Sequence, residues 1–171
     1  MDVISRRTFY FGSGAVALCT GFPALAQGWT TYRNPRFGTS IEHPTNFKAD
    51  PPPQNGAGRS FGNPDRAVFS VWGGHNALDH NIAGFEKFIR DEMTPGKRLT
   101  YDARGANWFV LSGVHDANTF YERYILSHGG RIENGFTMQY PTRLQKAYDP
   151  IVTRMSRSFR AGRGADTEGN P

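Results

Sequence analysis

The sequence predicts an α+β fold, a single domain in which helices flank a twisted antiparallel sheet. Three observations support this prediction. Short runs of aromatic and β-branched residues alternate with polar ones, and turns rich in Gly, Asn and Asp separate the runs. Apolar residues recur at helical spacing in only two segments, 82–93 and 144–159. Strands mostly follow strands, which is typical of an antiparallel rather than a parallel sheet.

The segment 1–26 has the layout of an export signal. Arg6 and Arg7 form a twin-arginine pattern, an apolar run follows them, and Ala26 and Gln27 flank a small-x-small cleavage site. The apolar run is shorter than the ~20 residues that span a bilayer. The alternative is an apolar N-terminal helix of a cytoplasmic protein. We expect export by the twin-arginine route, cleavage before Gln27 and a periplasmic mature protein.

The first half of the mature chain predicts strands and one long loop. The segment 29–47 alternates with period two and indicates two strands joined by a tight turn. The segment 48–66, with three consecutive prolines and several glycines, predicts a long surface loop. Its function is left open. A short apolar strand follows over 67–72, and Gly73 and Gly74 are expected to end it.

A helix and a meander of strands follow. The segment 82–93 has apolar residues on one helical face, and either Asp79 or Asn81 is placed to cap its start. Turn residues divide the segment 99–140 into four strands. These strands are expected to form the larger part of the sheet.

The chain is expected to close with a helix and a tail. Thr142 and Gln145 have the spacing of a capping box, and Pro150 is expected to kink or restart the helix that follows. The segment 161–171 is small and polar and predicts disorder. The folded domain is therefore assigned to 27–160.

Composition limits the classes of function. The one cysteine, Cys19, lies in the signal, so the mature chain is expected to be held by its core without a disulfide. The net charge is +5, and removal of residues 1–26 leaves +4. This moderate excess favours anionic partners or peripheral contact with anionic surfaces without requiring either. Export argues against nucleic acid as a partner, and we expect a monomer.

Two stretches carry a resemblance to a known family. The segment 32–44 reads YRNPRFGTSIEHP and resembles the opening of PsbP/Mog1-like domains, with their Phe-Gly-x-Ser-Ile-x-x-Pro strand. The end of the chain resembles the strand-to-helix ending of small secreted bacterial members of that group. The residues concerned there are Tyr140, Pro141, Tyr148, Ser158 and Phe159. The resemblance covers most of the segment 29–160.

The resemblance implies a single α/β/α-type sandwich around a twisted antiparallel sheet. It also implies an accessory or binding role, because members of the group mostly act in that way rather than as enzymes. Some photosynthetic members bind divalent ions, but no residue pattern in this chain allows their ligands to be carried over. The matching motifs are core aromatics, turn glycines and prolines, so they support the fold more strongly than the function.

The strongest candidate for chemistry is the loop His75–His80. Two imidazoles and a carboxylate, on His75, Asp79 and His80, are residue types that hold zinc or copper. The spacing matches no established metal motif, however. The alternative, which we favour, is that Asp79 caps the next helix and the histidines are solvated. No other cofactor is indicated.

Other chemistry has less support. No serine has contextual support as a nucleophile, and no catalytic residue is assigned. Acid–base catalysis by Glu42 or Glu122 with a histidine rests on residue type alone. Arg154, Arg157 and Arg160 recur every third residue on the last helix and indicate either a docking stripe or, as we prefer, a solvated face.

The interpretation that best fits these features is an exported, non-catalytic accessory protein. It would bind a protein partner or small ligand through its sheet face or its long loop. The alternative is a metal-binding protein or hydrolytic enzyme that uses the loop His75–His80.

Overall fold

A computed structural model describes residues 28–93 and 95–167 of the chain. The twin arginines Arg6 and Arg7 and the expected cleavage site at Ala26 and Gln27 lie outside these residues. The strands are β1 (Trp29–Arg33), β2 (Ser40–Pro44), β3 (Lys48–Ala49), β4 (Gly58–Gly62), β5 (Val68–His75), β6 (Arg98–Arg104), β7 (Trp108–His115), β8 (Asn118–Ser127) and β9 (Ile132–Pro141). The helices are α1 (Ile82–Phe88), which continues as a π-helical turn (Ile89–Met93), and α2 (Gln145–Ser158), which a 3-10 turn (Thr142–Leu144) precedes.

The strands of the described residues form two antiparallel sheets, as the alternating pattern predicts. The large sheet has the order β3-β4-β5-β9-β8-β7-β6, and β1 pairs only with β2. The four strands predicted over 99–140 are confirmed as β6 to β9. Because β5 pairs with β9, the last strand of the meander lies at the centre of the sheet.

Two cores lie on opposite faces of the large sheet and make the molecule an α/β/α sandwich. On one face α2 packs against β9 and β2, with Tyr148, Val152 and Met155 on its buried side. On the other face α1 packs through Phe85, with Ile89 of the π-helical turn beside it, against β7 and β8. These buried positions recur at three- and four-residue intervals, which is why the sequence indicates both helices.

The predicted long loop 48–66 contains two short strands, so that prediction is wrong in part. β3 and β4 add to the edge of the sheet beside β5. β4 begins at Gly58, where a Cβ would lie 2.5 Å from the carbonyl oxygen of Val71. The glycine therefore allows the two strands to approach closely, whereas the sequence pattern suggested a flexible loop.

The predicted end of β5 at Gly73 and Gly74 is also wrong, because β5 continues to His75. A Cβ on Gly73 would overlap the side chain of Phe37, which packs on the strand at this point. Gly73 is thus a site of close packing inside a strand.

The predicted capping is confirmed at α1 and wrong at α2. Asn81, one of the two predicted candidates, caps α1, since its Oδ1 accepts a hydrogen bond from Gly84 N at 2.9 Å, so the assignment of this cap to Asp79 is wrong. The expected capping box does not form at α2, where the 3-10 turn precedes the helix and no side-chain cap is made. Instead Thr142 Oγ1 accepts a hydrogen bond from Thr119 on β8. Pro150 lies inside α2.

The segment 161–167 is packed, so the prediction of disorder is wrong for these residues. Ala165 N donates to the carbonyl of Pro35 at 3.1 Å, and Asp166 N donates to the carbonyl of Arg36 at 2.8 Å. We call this segment the C-terminal strap. Residues 168–171 lie outside the described part of the chain.

Glycines explain why the strap reaches the turn between β1 and β2. Gly38 has a φ of 73°, and a Cβ there would overlap the backbone of Arg163. A Cβ on Gly164 would lie 2.5 Å from Gly38 N. The small residues of the strap therefore allow its backbone to lie close to the backbone of the turn. Within residues 28–93 and 95–167 the chain has no helix long and apolar enough to cross a membrane.

Candidate binding surface

One half of the large sheet is left uncovered on the side of α1. The helix packs over β7 and β8, so β4, β5 and β9 face outward beside it. We call this surface the open face. Its side chains are Ser60, Val68, Ser70, Thr137 and Gln139. Val68 is 49% exposed, and Ser60 and Ser70 share a hydrogen bond of 2.8 Å between their Oγ atoms.

A buried carboxylate ends the polar row that crosses the open face. The strand register places Ser60, Ser70, Thr137 and Glu122 opposite one another on β4, β5, β9 and β8. Glu122 is buried, and its Oε1 accepts from Lys97 Nζ at 2.6 Å. Its Oε2 accepts from the hydroxyl of a neighbouring tyrosine at 3.0 Å. Both carboxylate oxygens therefore have donors inside the protein.

Tyr124 is the tyrosine that donates to Glu122. Burial raises the pKa of Tyr124 well above its usual range, and the adjacent carboxylate raises it further. The phenol therefore stays protonated and acts as a fixed donor. Lys97 also lies over the ring of Phe120, with its Nζ 4.9 Å from the ring centre. Within this cluster the positive charge of Lys97 balances the negative charge of Glu122. The same contacts link β8 to the segment that precedes β6.

The open face forms the middle of a longer depression, which we call the trough. The middle part, of about 310 Å³, lies over Ser70 and Glu122. A second part, of about 390 Å³, shares Ser70 and extends under the loop that begins at Pro51. A third part, of about 690 Å³, shares Val68 and Gln139 with the middle. The trough is lined by hydroxyl, amide and charged side chains together with the exposed Val68, and its length is suited to an extended ligand.

The structure does not bring the three predicted metal ligands together. His75 lies at the end of β5, with its Nε2 3.7 Å from Asp166 Oδ2. His80 turns toward Glu133, with 4.0 Å between Nδ1 and Oε1. Asp79 is exposed and has a φ of 51°. No group of three or more His, Cys, Asp or Glu side chains that could hold a metal ion occurs in the described ranges 28–93 and 95–167.

Asn76 organises the same loop, and the sequence analysis did not single it out. Its Oδ1 accepts from His80 N at 3.0 Å, and its Nδ2 donates to the carbonyls of His80 and Gly130 at 2.8 Å each. Asn is a common residue for such side-chain-to-backbone bonds in turns, which is the signal that was available.

Within residues 28–93 and 95–167, two of the three arginines of the stripe make side-chain hydrogen bonds and Arg157 makes none. Arg154 donates to Glu42 at 2.9 Å and lies 4.0 Å from the ring centre of Trp29. Arg160 donates to the carbonyls of Arg157 and Phe159. The stripe is thus a set of local contacts on a solvated face, as the preferred interpretation has it, with Arg157 pointing to solvent.

Comparisons with known proteins support the fold. No protein-family model and no curated protein sequence matches the chain. The chain is similar in structure to cyanobacterial PsbP (CyanoP) from Synechocystis sp. PCC 6803, at 14% identity over 87% of this chain and 100% of that one, with a TM-score of 0.58. It is also similar to the Ran-binding protein Mog1p of Saccharomyces cerevisiae, at 11% identity over 83% of this chain and 98% of that one, with a TM-score of 0.55. The chain therefore has the PsbP/Mog1-like fold that its motifs suggested.

Proposed function

We propose that this protein is an exported, non-catalytic accessory protein that binds an extended segment of a protein partner in the trough. The observation that carries the proposal is the row of exposed and half-buried hydroxyl and amide groups on the open face, at the centre of an elongated depression. Such groups hydrogen-bond a polypeptide backbone, and the exposed Val68 offers an apolar contact among them.

The shape of the trough favours an extended polypeptide over a compact ligand. Its three parts share residues and follow one another across the sheet, so an occupant touching all of them must be long. Compact ligands are usually enclosed on most of their surface, and the trough is open along its length. The yeast protein with this fold is described as Ran-binding, which is one example of the fold serving protein binding.

The state of Glu122 favours binding over catalysis. Both Glu122 oxygens are hydrogen-bonded inside the protein, to Lys97 and Tyr124, and only 7% of the side chain is exposed, so the carboxylate is engaged in internal contacts and is poorly accessible to a substrate. Ser70 lines the trough beside it, but its hydroxyl bonds to that of Ser60, and no histidine or carboxylate in the described part of the chain hydrogen-bonds to either hydroxyl.

Site-specific photo-crosslinking in the native host tests the trough. Val68→p-benzoylphenylalanine places a crosslinker on the open face, and Leu78→p-benzoylphenylalanine is the matched control. Leu78 is also an exposed apolar residue, at 64%, and does not line the trough. We expect a discrete protein adduct from position 68 that is absent from position 78. The same adducts from both positions, or none from either, would contradict the proposal.

Export is tested separately by replacing the twin arginines. Arg6→Lys with Arg7→Lys keeps the charge of the segment and removes the pair that the twin-arginine route reads. We expect the variant to accumulate in the cytoplasm with its signal uncleaved, as cell fractionation and intact-mass measurement would show. Normal export of the variant would contradict this part of the proposal.

A further inference from the structure

We propose that the wide end of the trough binds a carboxylate of the partner segment, and that Arg66 and Arg143 hold it. This inference rests on the proposed function, because it names the chemistry of the same ligand. The site lies between the β4–β5 turn and the start of α2. It is the part of the trough with a volume of about 690 Å³.

The lining of this cavity carries donors and no acid. Arg66 and Arg143 line it together with Asn118, Gln139 and Thr142, and no Asp or Glu is among the lining residues. Neither guanidinium has an ion pair or a side-chain hydrogen bond recorded among residues 28–93 and 95–167. A guanidinium presents paired N–H groups that match the two oxygens of a carboxylate, so two of them on one cavity form a receptor for an oxyanion.

The backbone at Arg66 is in a conformation that residues with long side chains rarely adopt. Arg66 has a φ of 63°, in the left-handed region that favours Gly or Asn. Asn63, at the start of the same turn, accepts from Ala67 N at 3.1 Å and donates to the hydroxyl of Tyr148 at 2.8 Å. A turn with no task beyond reversing the chain would be more stable with Gly at this position. Strain of this kind accumulates at binding sites.

The anchoring of the turn also sets the distance between the two arginines. Tyr148 lies on α2, and its hydroxyl bonds to both Asn63 and Asp65 of the turn. Arg143 belongs to the 3-10 turn that leads into the same helix. Arg66 and Arg143 therefore lie on segments that hydrogen bonds hold together, so the site is preorganised before a ligand binds.

Most of the excess positive charge of the chain follows Arg143 along α2 and the strap. The segment 143–167 contains six of the chain's 20 Lys and Arg residues and two of its 15 Asp and Glu residues, a charge of +4 against +5 for the whole chain. This excess favours an anionic partner by long-range attraction, and the two arginines of the cavity would place its carboxylate.

Binding of a blocked tetraglutamate peptide, followed by NMR, tests the inference. We expect saturable shifts centred on Arg66, Asn118, Gln139 and Arg143, with no such shifts from a blocked tetraglutamine peptide. Arg66→Asn and Arg143→Gln should each weaken binding about tenfold, as the loss of one charge-assisted pair predicts. Arg157→Gln removes an exposed arginine on the outer face of α2 and should leave binding unchanged. Equal weakening by all three variants would mean diffuse attraction and overturn the site.

Stability provides a second readout, because Arg66→Asn relieves the strained backbone. The variant should unfold at the same or a higher urea concentration than the unmodified protein while binding the peptide more weakly. Lower stability together with unchanged binding would overturn the inference.

The inference and the proposed function fail in different ways. If position 68 forms no protein adduct but tetraglutamate still binds, the proposed binding of a partner in the trough is refuted and the carboxylate site stands. An adduct that is equally strong in the Arg66→Asn background would refute the site and leave the trough. If inorganic phosphate competes with tetraglutamate at the same residues, the two arginines bind oxyanions as a class, which supports the site.

Discussion

At the scale of single residues, the pair formed by Glu122 and Lys97 is the most consequential contact of the open face. The side chains of Glu122 and Lys97 are 7% and 20% exposed, so the pair is largely withdrawn from water. Removing one member of such a pair leaves the other without compensation, whereas removing both costs less. The pair lies at the floor of the trough, and removing either member alone should therefore lower the stability of the molecule.

A double-mutant cycle measures this coupling. Glu122→Leu should lower the free energy of unfolding by about 2 kcal/mol, and combining it with Lys97→Met should recover part of that loss. Urea unfolding of the two single variants and the double variant provides the measurement. The exposed pair of Lys87 and Asp91 on the outer side of α1 and the π-helical turn serves as the control, and no coupling is expected there. Simple additivity of the Glu122 and Lys97 effects would contradict the prediction.

His43 predicts a loss of stability in acid. It is buried between Phe61 and Phe69, with ring centres 4.7 and 5.2 Å away, and its Nδ1 donates to the carbonyl of Pro44. Burial lowers the pKa of His43 below its usual 6.5, because the neutral ring is favoured in the folded state. Its contribution to stability is therefore complete above pH 6.5 and is lost as the pH falls through the lowered pKa.

The measurement is urea unfolding at pH 7.5 and pH 5. The free energy of unfolding should be lower at pH 5, and the decrease should be smaller in His43→Phe, which keeps an aromatic ring at this position and removes the titrating group. All other titrating groups are common to both proteins. An equal decrease in the two proteins would refute the role of His43.

At the scale of elements, β5 shows how packing overrides a local pattern. Two consecutive glycines are a turn signal, yet the strand passes through both and pairs with β9 along its whole length. The reason lies in Phe37, a buried residue from the turn between β1 and β2, which occupies the space where a side chain on Gly73 would lie.

These neighbouring glycines offer a matched pair of variants. Gly73→Ala should lower the free energy of unfolding by about 2 to 3 kcal/mol, because the new Cβ overlaps Phe37 in a packed core. Gly74→Ala should have little effect, since the nearest atom to a Cβ there is Trp72 Cζ3 at 3.8 Å. Thermal and urea unfolding would check both. Similar effects of the two variants would contradict this account of the strand.

At the scale of the whole molecule, the C-terminal strap closes the structure over the turn between β1 and β2. Arg36 and Asp166 form an ion pair of 2.6 Å between the turn and the strap, and Thr167 is buried. The strap lies against the backbone of the turn that carries the buried Phe37. The folded unit therefore extends through residue 167 and beyond the predicted boundary at residue 160.

Truncation after Arg160 tests the contribution of the strap. Removing residues 161–171 should lower the free energy of unfolding by about 2 kcal/mol, the order of magnitude for partly exposing one buried Phe such as Phe37. Truncation after Thr167 is the matched control and should change little. Equal stability of the two truncated proteins, measured in urea, would show that the strap adds nothing to the fold.

Local pattern determined the secondary structure for physical reasons that act over a few residues. The spacing of apolar residues in 82–93 and 144–159 indicates helices because one helical face must be buried, and alternation in 99–140 indicates strands because one strand face must be. The α+β fold class and Asn81 as a candidate cap followed from such signals, whereas the α/β/α sandwich followed from the resemblance to PsbP/Mog1-like domains. These local signals do not depend on which segments of the chain pack against each other.

Only the tertiary structure decided the open face and the trough, where we propose that a partner binds. The polar row of the open face exists because β5 pairs with β9 in one register, and a shift of one residue would turn its hydroxyls into the opposite core. Lys97 reaches Glu122, and Arg66 comes to share a cavity with Arg143, through contacts between segments far apart in sequence. Composition and periodicity do not indicate which residues that are far apart in sequence lie close together in the fold. Residue type was therefore enough to suggest Glu122 as a candidate, but not to identify Lys97 and Tyr124 as its partners.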